Sequence, residues 1–247
     1  MKAFNTMLKT ELKLSLRGMD MFIFAICMPL VVLVILGILY GSKPAFAGAP
    51  YTFLEQSFGA LAAISICAGG VMGLPLVISD YRGKKILKRF KVTPVSPALL
   101  LLVQIVIYTL YALVSLVLLY AVGAIFFGLR LRGSIPQFIG GYLLVLVSMF
   151  SLGLLVGGIA RDSKMAGAVA SILYFPMLVF SGATLPYEVM PPGLQRVVDF
   201  MPLTQGIKLL KAASLGLPAE NVLISIVIMA VLTVACVTVA LRFFRWE

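Results

Sequence analysis

Six stretches of this chain, residues 21–42, 56–79, 98–127, 137–160, 165–183 and 221–241, contain no Asp, Glu, Lys, Arg or His. A helix of about 20 apolar residues crosses the ~30 Å hydrocarbon layer of a bilayer, so each run is long enough to span. In lipid every backbone N–H and C=O must be paired inside the protein, which for runs of this length means helices. The predicted fold is therefore all-α and integral to the membrane, a single domain with six transmembrane helices. Composition supports this: 62% of residues are hydrophobic and 12% are charged, where soluble domains carry roughly 45–50% and 25%.

The charges sit between the runs and set the topology. The net charge of +11 would suit a nucleic-acid partner. Because the basic residues are confined to short connections, the positive-inside rule explains them better, and nucleic acid is not expected as a partner. With both termini in the cytoplasm, the inner segments hold Lys2, Lys9, Lys13, Arg17, the six Lys and Arg of 80–97, Arg161, Lys164, Arg242 and Arg245. The outer segments hold only Lys43, Arg130, Arg132, Arg196, Lys208 and Lys211. The expected location is a bacterial-type cytoplasmic membrane, crossed several times. No cleavable signal peptide is expected, because the first apolar run exceeds a signal core and suits a retained span.

The connections carry three further patterns. In residues 1–20, Phe4, Leu8, Leu12 and Leu16 step by four along one face, opposite Lys2, Lys9, Lys13 and Arg17. This pattern predicts an interfacial helix lying at the headgroup level, or, more plainly, a basic tail that orients the chain. Residues 184–216 are longer than the other loops and only half polar. Pro192 and Pro202 start two short helical patterns there, and Gly216 ends the second. They are too short to span, so they lie on the outer surface or dip in and return. Gly69-x-x-x-Gly73 and Gly153-x-x-x-Gly157 are spacings that let helix backbones approach.

The third pattern is the basic segment 80–97, DYRGKKILKRFKVTPVSP. Ile86, Leu87 and Phe90 form an apolar stripe on about two helical turns, with Lys84, Lys85, Lys88, Arg89 and Lys91 around it. Thr93-Pro94 and Ser96-Pro97 stop the helix, since a residue before proline disfavours the helical region. Such a helix between two span ends can transmit a push. It can equally be a cluster that sets orientation and binds anionic lipid.

Catalytic chemistry is missing. There is no histidine, so His-based metal sites and bases are excluded. Cys27, Cys67 and Cys236 fall inside apolar runs and read as packing residues. No G-x-x-x-x-G-K-[ST] occurs, and no nucleophile–base constellation is visible. The spans lack the carboxylate or His relay of proton-coupled pumps. The chain is expected not to be an enzyme and to bind no metal or cofactor of its own. Uphill transport would need energy from another chain.

Two landmarks resemble one family. The segment D-Y-R-G-K-K-I-L-K-R-F-K-V-T-P-V-S-P after the second span is similar to the linker of type-2 ABC exporter permeases. The segment S-G-A-T-L-P-Y-E-V-M-P-P-G-L-Q with the later M-P-L-T is similar to that family's outer segment before the last span. The resemblance implies a membrane subunit that pairs with a second permease subunit, as homo- or heterodimer, and with two ATP-binding subunits. ATP and Mg would be held by those partners. It implies a coupling helix that docks on the ATPase, taking in Asp80, Arg82, Lys84, Lys85, Ile86, Leu87, Lys88, Arg89, Phe90, Thr93 and Pro94. It also implies re-entrant outer helices at an exit gate, with Pro186, Glu188, Pro191, Pro202 and Thr204. The family often has Glu at the position of Asp80. Its substrates include drugs, antibiotics and lipids, and the uncharged spans favour hydrophobic or amphipathic cargo. A stand-alone secondary transporter and a non-transporting membrane scaffold or sensor are the alternatives.

Overall fold

The computed structural model describes residues 2–41, 43–46, 48–86, 97–181, 190–217 and 222–243. Among them the chain is nearly all helical and contains no strand beyond an isolated bridge between Pro44 and Thr52. Helix α1 is Lys2–Gly18, and α2 covers residues 20–40. Helix α3 is Phe53–Gly83, α4 is Pro97–Phe127, α5 is Ile135–Ile159 and α6 is Ser163–Phe180. Two short helices follow, α7 at Pro192–Asp199 and α8 at Pro202–Leu215, before α9 at Val222–Phe243. Six of these, α2 to α6 and α9, are long and apolar enough to cross a membrane.

Helix α3 is the centre of the bundle. Of its most apolar 18-residue stretch 78% is buried, against 17% for α9. The burial depends on close backbone approach to α5. A Cβ on Gly153 would stand 1.9 Å from the Gly70 carbonyl oxygen, so position 153 needs glycine, and a Cβ on Gly70 would press on the Phe150 ring at 2.7 Å. The tightest contact thus uses Gly70, one residue past the first glycine of the 69–73 spacing.

Helix α3 is longer at both ends than the uncharged run 56–79. Thr52 and Glu55 form a capping box that starts the helix at Phe53. At its C-terminal end, the inner one in the expected topology, it continues through Asp80, Tyr81 and Arg82 to Gly83. Asp80 and Arg82 are therefore helical rather than parts of a loop. Helices α2 and α3 also each contain a π-helical stretch, Ile23–Cys27 and Ala68–Gly73. Ser65 Oγ donates to the Ala25 carbonyl at 2.6 Å, tying the first stretch to α3.

Of the predicted N-terminal face, Phe4, Leu8 and Leu12 pack against the core, whereas Leu16 is exposed. Asp162 caps α6 by accepting from the Met165 N–H at 2.8 Å, which accounts for the carboxylate in the 161–164 turn. Helix α8 is wedged among α3, α5 and α9, with Pro202, Leu203, Thr204, Gln205, Leu209 and Leu210 buried. It does not lie open on the surface. Two of its polar residues find partners nearby: Gln205 accepts from Ser225 at 2.7 Å, and Lys208 pairs with Asp199 at 2.6 Å. The three cysteines are free thiols.

Candidate functional site

The inner end of α3 gathers the first half of the predicted coupling residues. Successive side chains on one helical turn point to different elements, as a rotation of about 100° per residue requires. Tyr81 donates its hydroxyl to Glu11 of α1. Gln104 of α4 donates through Nε2 to the same Glu11 oxygen at 2.9 Å, and to the Tyr81 hydroxyl at 3.0 Å. One carboxylate oxygen therefore joins α1, α3 and α4. One turn further along α1, Tyr111 of α4 donates to Ser15 at 2.8 Å.

Arg82 points the other way. It is buried, and its Nη1 donates to the Ala160 carbonyl at the C-terminal end of α5. A guanidinium there meets the negative end of the α5 dipole. Arg82, which the resemblance places in the coupling segment, thus links α3 to α5 from inside. Asp80 and Lys84 pair with each other at 2.7 Å, with 37% and 64% of their side chains exposed.

Lys84 and Lys85 form a turn, not the first turn of a helix. Lys85 has φ of +57°, a left-handed conformation that breaks α3 just before Ile86, where helix resumes. The amphipathic helix expected from residue 84 thus begins no earlier than Ile86. Leu87, Lys88, Arg89, Phe90, Thr93 and Pro94 lie outside the described residues, as do Pro186 and Glu188 of the outer set. Of the remaining outer residues, Pro191 is the exposed N-cap of α7. Pro202 opens α8, and Thr204 is buried in its first turn with no partner for its hydroxyl among the described residues.

A second junction stands at the opposite end of α3. Glu55 is 4% exposed and accepts from the Thr52 N–H at 2.9 Å. The same oxygen pairs with Arg132 Nε at 3.2 Å. The N–H groups of Arg132 and Gly133 both donate to the Ser214 carbonyl near the end of α8, at 3.0 and 3.1 Å. The α4–α5 connection is thereby fixed to both α3 and α8.

Glu11, Tyr81, Gln104, Ser15 and Glu55 were not among the residues singled out by sequence. Two signals were present. Glu11 is the only carboxylate between Lys2 and Arg17, and Gln104 is the only amide in 98–127. Their meeting depends on partners up to 93 residues apart, which no local pattern reveals.

A six-span helical bundle, braced by polar junctions at both ends of its central helix, is a multi-pass integral membrane protein. Residues 2–215 match the family model described as ABC-2 type transporter. The chain belongs to that family. It is similar to the inner membrane transport permease YhhJ of Escherichia coli K12, 34% identical over 85 residues, covering 34% of this chain and 23% of YhhJ. It is also similar to nodulation protein J of Neorhizobium galegae, 32% identical over 94 residues, covering 38% of this chain and 34% of that protein. Nodulation protein J of Rhizobium leguminosarum bv. viciae is 30% identical over 95 residues, covering 38% and 37%. The matched stretch spans about a quarter to just over a third of these curated relatives.

Proposed function

We propose that this chain is the membrane-spanning permease subunit of an ATP-binding-cassette exporter. It moves a hydrophobic or amphipathic substrate, such as a drug, antibiotic or lipid, across the cytoplasmic membrane. The energy comes from ATP hydrolysed by a separate subunit, present in two copies, and a second permease subunit completes the pathway. Both termini face the cytoplasm. Family membership supports the permease role, and the name of the E. coli relative, a transport permease of the inner membrane, agrees with it.

The observation that carries the coupling part is the inner end of α3. Tyr81 links it to α1 and α4, and Arg82 links it to α5. A push delivered through 84–94 therefore reaches four helices at once, without an ionisable relay inside the spans. Asp80 and Lys84 are exposed, and Lys85 ends α3 in a left-handed conformation, so the partner docks from that turn onward.

The test is charge reversal in the docking segment. Lys85→Glu with Arg89→Glu should lower ATPase co-purification at least about tenfold, since close charge pairs across an interface are worth several kcal/mol. Membrane insertion should be unchanged. Full ATPase co-purification with the double variant would overturn the coupling assignment.

A further inference from the structure

An open groove of about 580 Å³ lies between α1, the inner end of α3 and the start of α4. That is the size of a small-molecule site, about 300–1,000 Å³. Met21, Leu76 and Val77 line it on an apolar side, and Glu11, Asp80 and Lys84 supply its charges. In a chain of net charge +11, the sign of this groove is unusual. Asp80 and Lys84 neutralise each other at 2.7 Å. Glu11 remains, half-buried, and its two donors, Tyr81 and Gln104, are neutral. Both donate to Oε2, and Oε1 accepts no bond among the described residues.

A carboxylate held in place by two neutral donors, with one oxygen open beside an apolar wall, suits an ammonium group on an apolar tail. An anionic headgroup would be repelled. An ammonium can belong to a cargo molecule or to an aminophospholipid. The phospholipid also brings a phosphate, and the one cation lining the groove among the described residues, Lys84, is already paired with Asp80. The charges therefore favour a cargo that carries a cation and no anion.

We propose that this groove is the inner docking site for a cationic amphipath awaiting export, with Glu11 Oε1 receiving its ammonium. The proposal rests on the exporter reading above and narrows its cargo from amphipathic to cationic amphipathic. The contact also joins cargo to mechanism, because the same carboxylate ties α1 to α3 and α4.

The experiment uses the full chain alone in phosphatidylcholine nanodiscs, with dodecylamine carrying a photoactivatable diazirine in its tail. Crosslinks are mapped by mass spectrometry. Label is expected on peptides containing Met21, Leu76 and Val77, displaced by dodecyltrimethylammonium but not by dodecyl sulfate. Glu11→Gln keeps an oxygen for Tyr81 and Gln104 and removes only the charge. It should weaken labelling about tenfold or more, the value of a hydrogen bond to a charged group. Lys13→Gln, on the same helix but outside the groove, should leave labelling unchanged. Three results would each overturn the proposal: equal labelling by a diazirine-tagged dodecanol, unchanged labelling of Glu11→Gln, or displacement by phosphatidylethanolamine in the nanodisc. No ATPase takes part, so failure here leaves the exporter reading intact. A loss of that reading would show instead in the co-purification test.

Discussion

The two ends of α3 each carry a glutamate that joins several helices, and they are built in opposite ways. At the outer end Glu55 is buried and meets a cation, Arg132, while backbone bonds to Ser214 lock the same connection onto α8. At the inner end Glu11 is half-buried and meets only a phenol and an amide. The outer junction holds its buried carboxylate on the Thr52 N–H and the Arg132 guanidinium, so removing Arg132 leaves a buried charge without its cation. The inner junction pairs its half-buried carboxylate with no cation among the described residues and lines the groove. The contrast separates a charge-paired collar from the carboxylate of the proposed site.

The largest expected effect breaks the collar by geometry alone. A Cβ at Gly133 would stand 1.9 Å from the Ala213 carbonyl oxygen and 2.9 Å from its carbon, both rigid backbone atoms. Gly133→Ala should destabilise the chain by about 3 kcal/mol or more, at or beyond the usual range for overpacking. Thermal unfolding in detergent would read this as a large fall in Tm. An unchanged Tm would mean that the collar yields, and the contrast with the inner junction would disappear.

A matched pair of substitutions sharpens the comparison. Glu55→Gln keeps a capping side chain but strips the buried charge from Arg132, whose side chain is 44% exposed and can rehydrate. The loss should be about 1–2 kcal/mol, below the value for a fully buried pair. Glu11→Gln removes no ion pair and keeps an acceptor for both donors, so it should cost less than about 1 kcal/mol. Unfolding measured on the two variants side by side tests the ranking. If Glu11→Gln were the more damaging, the inner carboxylate would be the structural one, and its role in the groove would fall.

The sequence showed the fold class because uncharged runs longer than 18 residues have few structural solutions in lipid. The exact ends of α3 were harder. The Thr52-x-x-Glu55 box was readable in principle, but it sits in what composition presents as an outer loop. The inner extension depends on where Tyr81 and Arg82 find partners, on α1, α4 and α5. Arg82 illustrates the limit: a basic residue in a basic segment reads as a docking group, yet it caps α5 from inside. Helix α8 shows the converse, since its length left open whether it lies on the outer surface or dips in, while the structure buries it with Gln205 and Ser225 bonded in the interior. The π-helical stretches have no local signature, because they arise where neighbouring backbones and the Ser65 hydroxyl accommodate the shifted bonding.

The smallest expected effect on folding concerns Lys84. Its pair with Asp80 is an exposed i,i+4 contact, and such pairs contribute about 0.3–0.5 kcal/mol. Lys84→Ala should therefore leave Tm nearly unchanged. It also removes the groove's one cation among the described residues and takes from Asp80 its described partner, raising the negative charge there. The proposed site then makes a signed forecast: labelling by the dodecylamine probe should increase severalfold in Lys84→Ala while stability stays level. A mere surface pair would move neither reading, and a site for anions would lose affinity instead. Lys84 thus turns the contrast between the two ends of α3 into a measurement, because Glu11 and not Glu55 lines the groove.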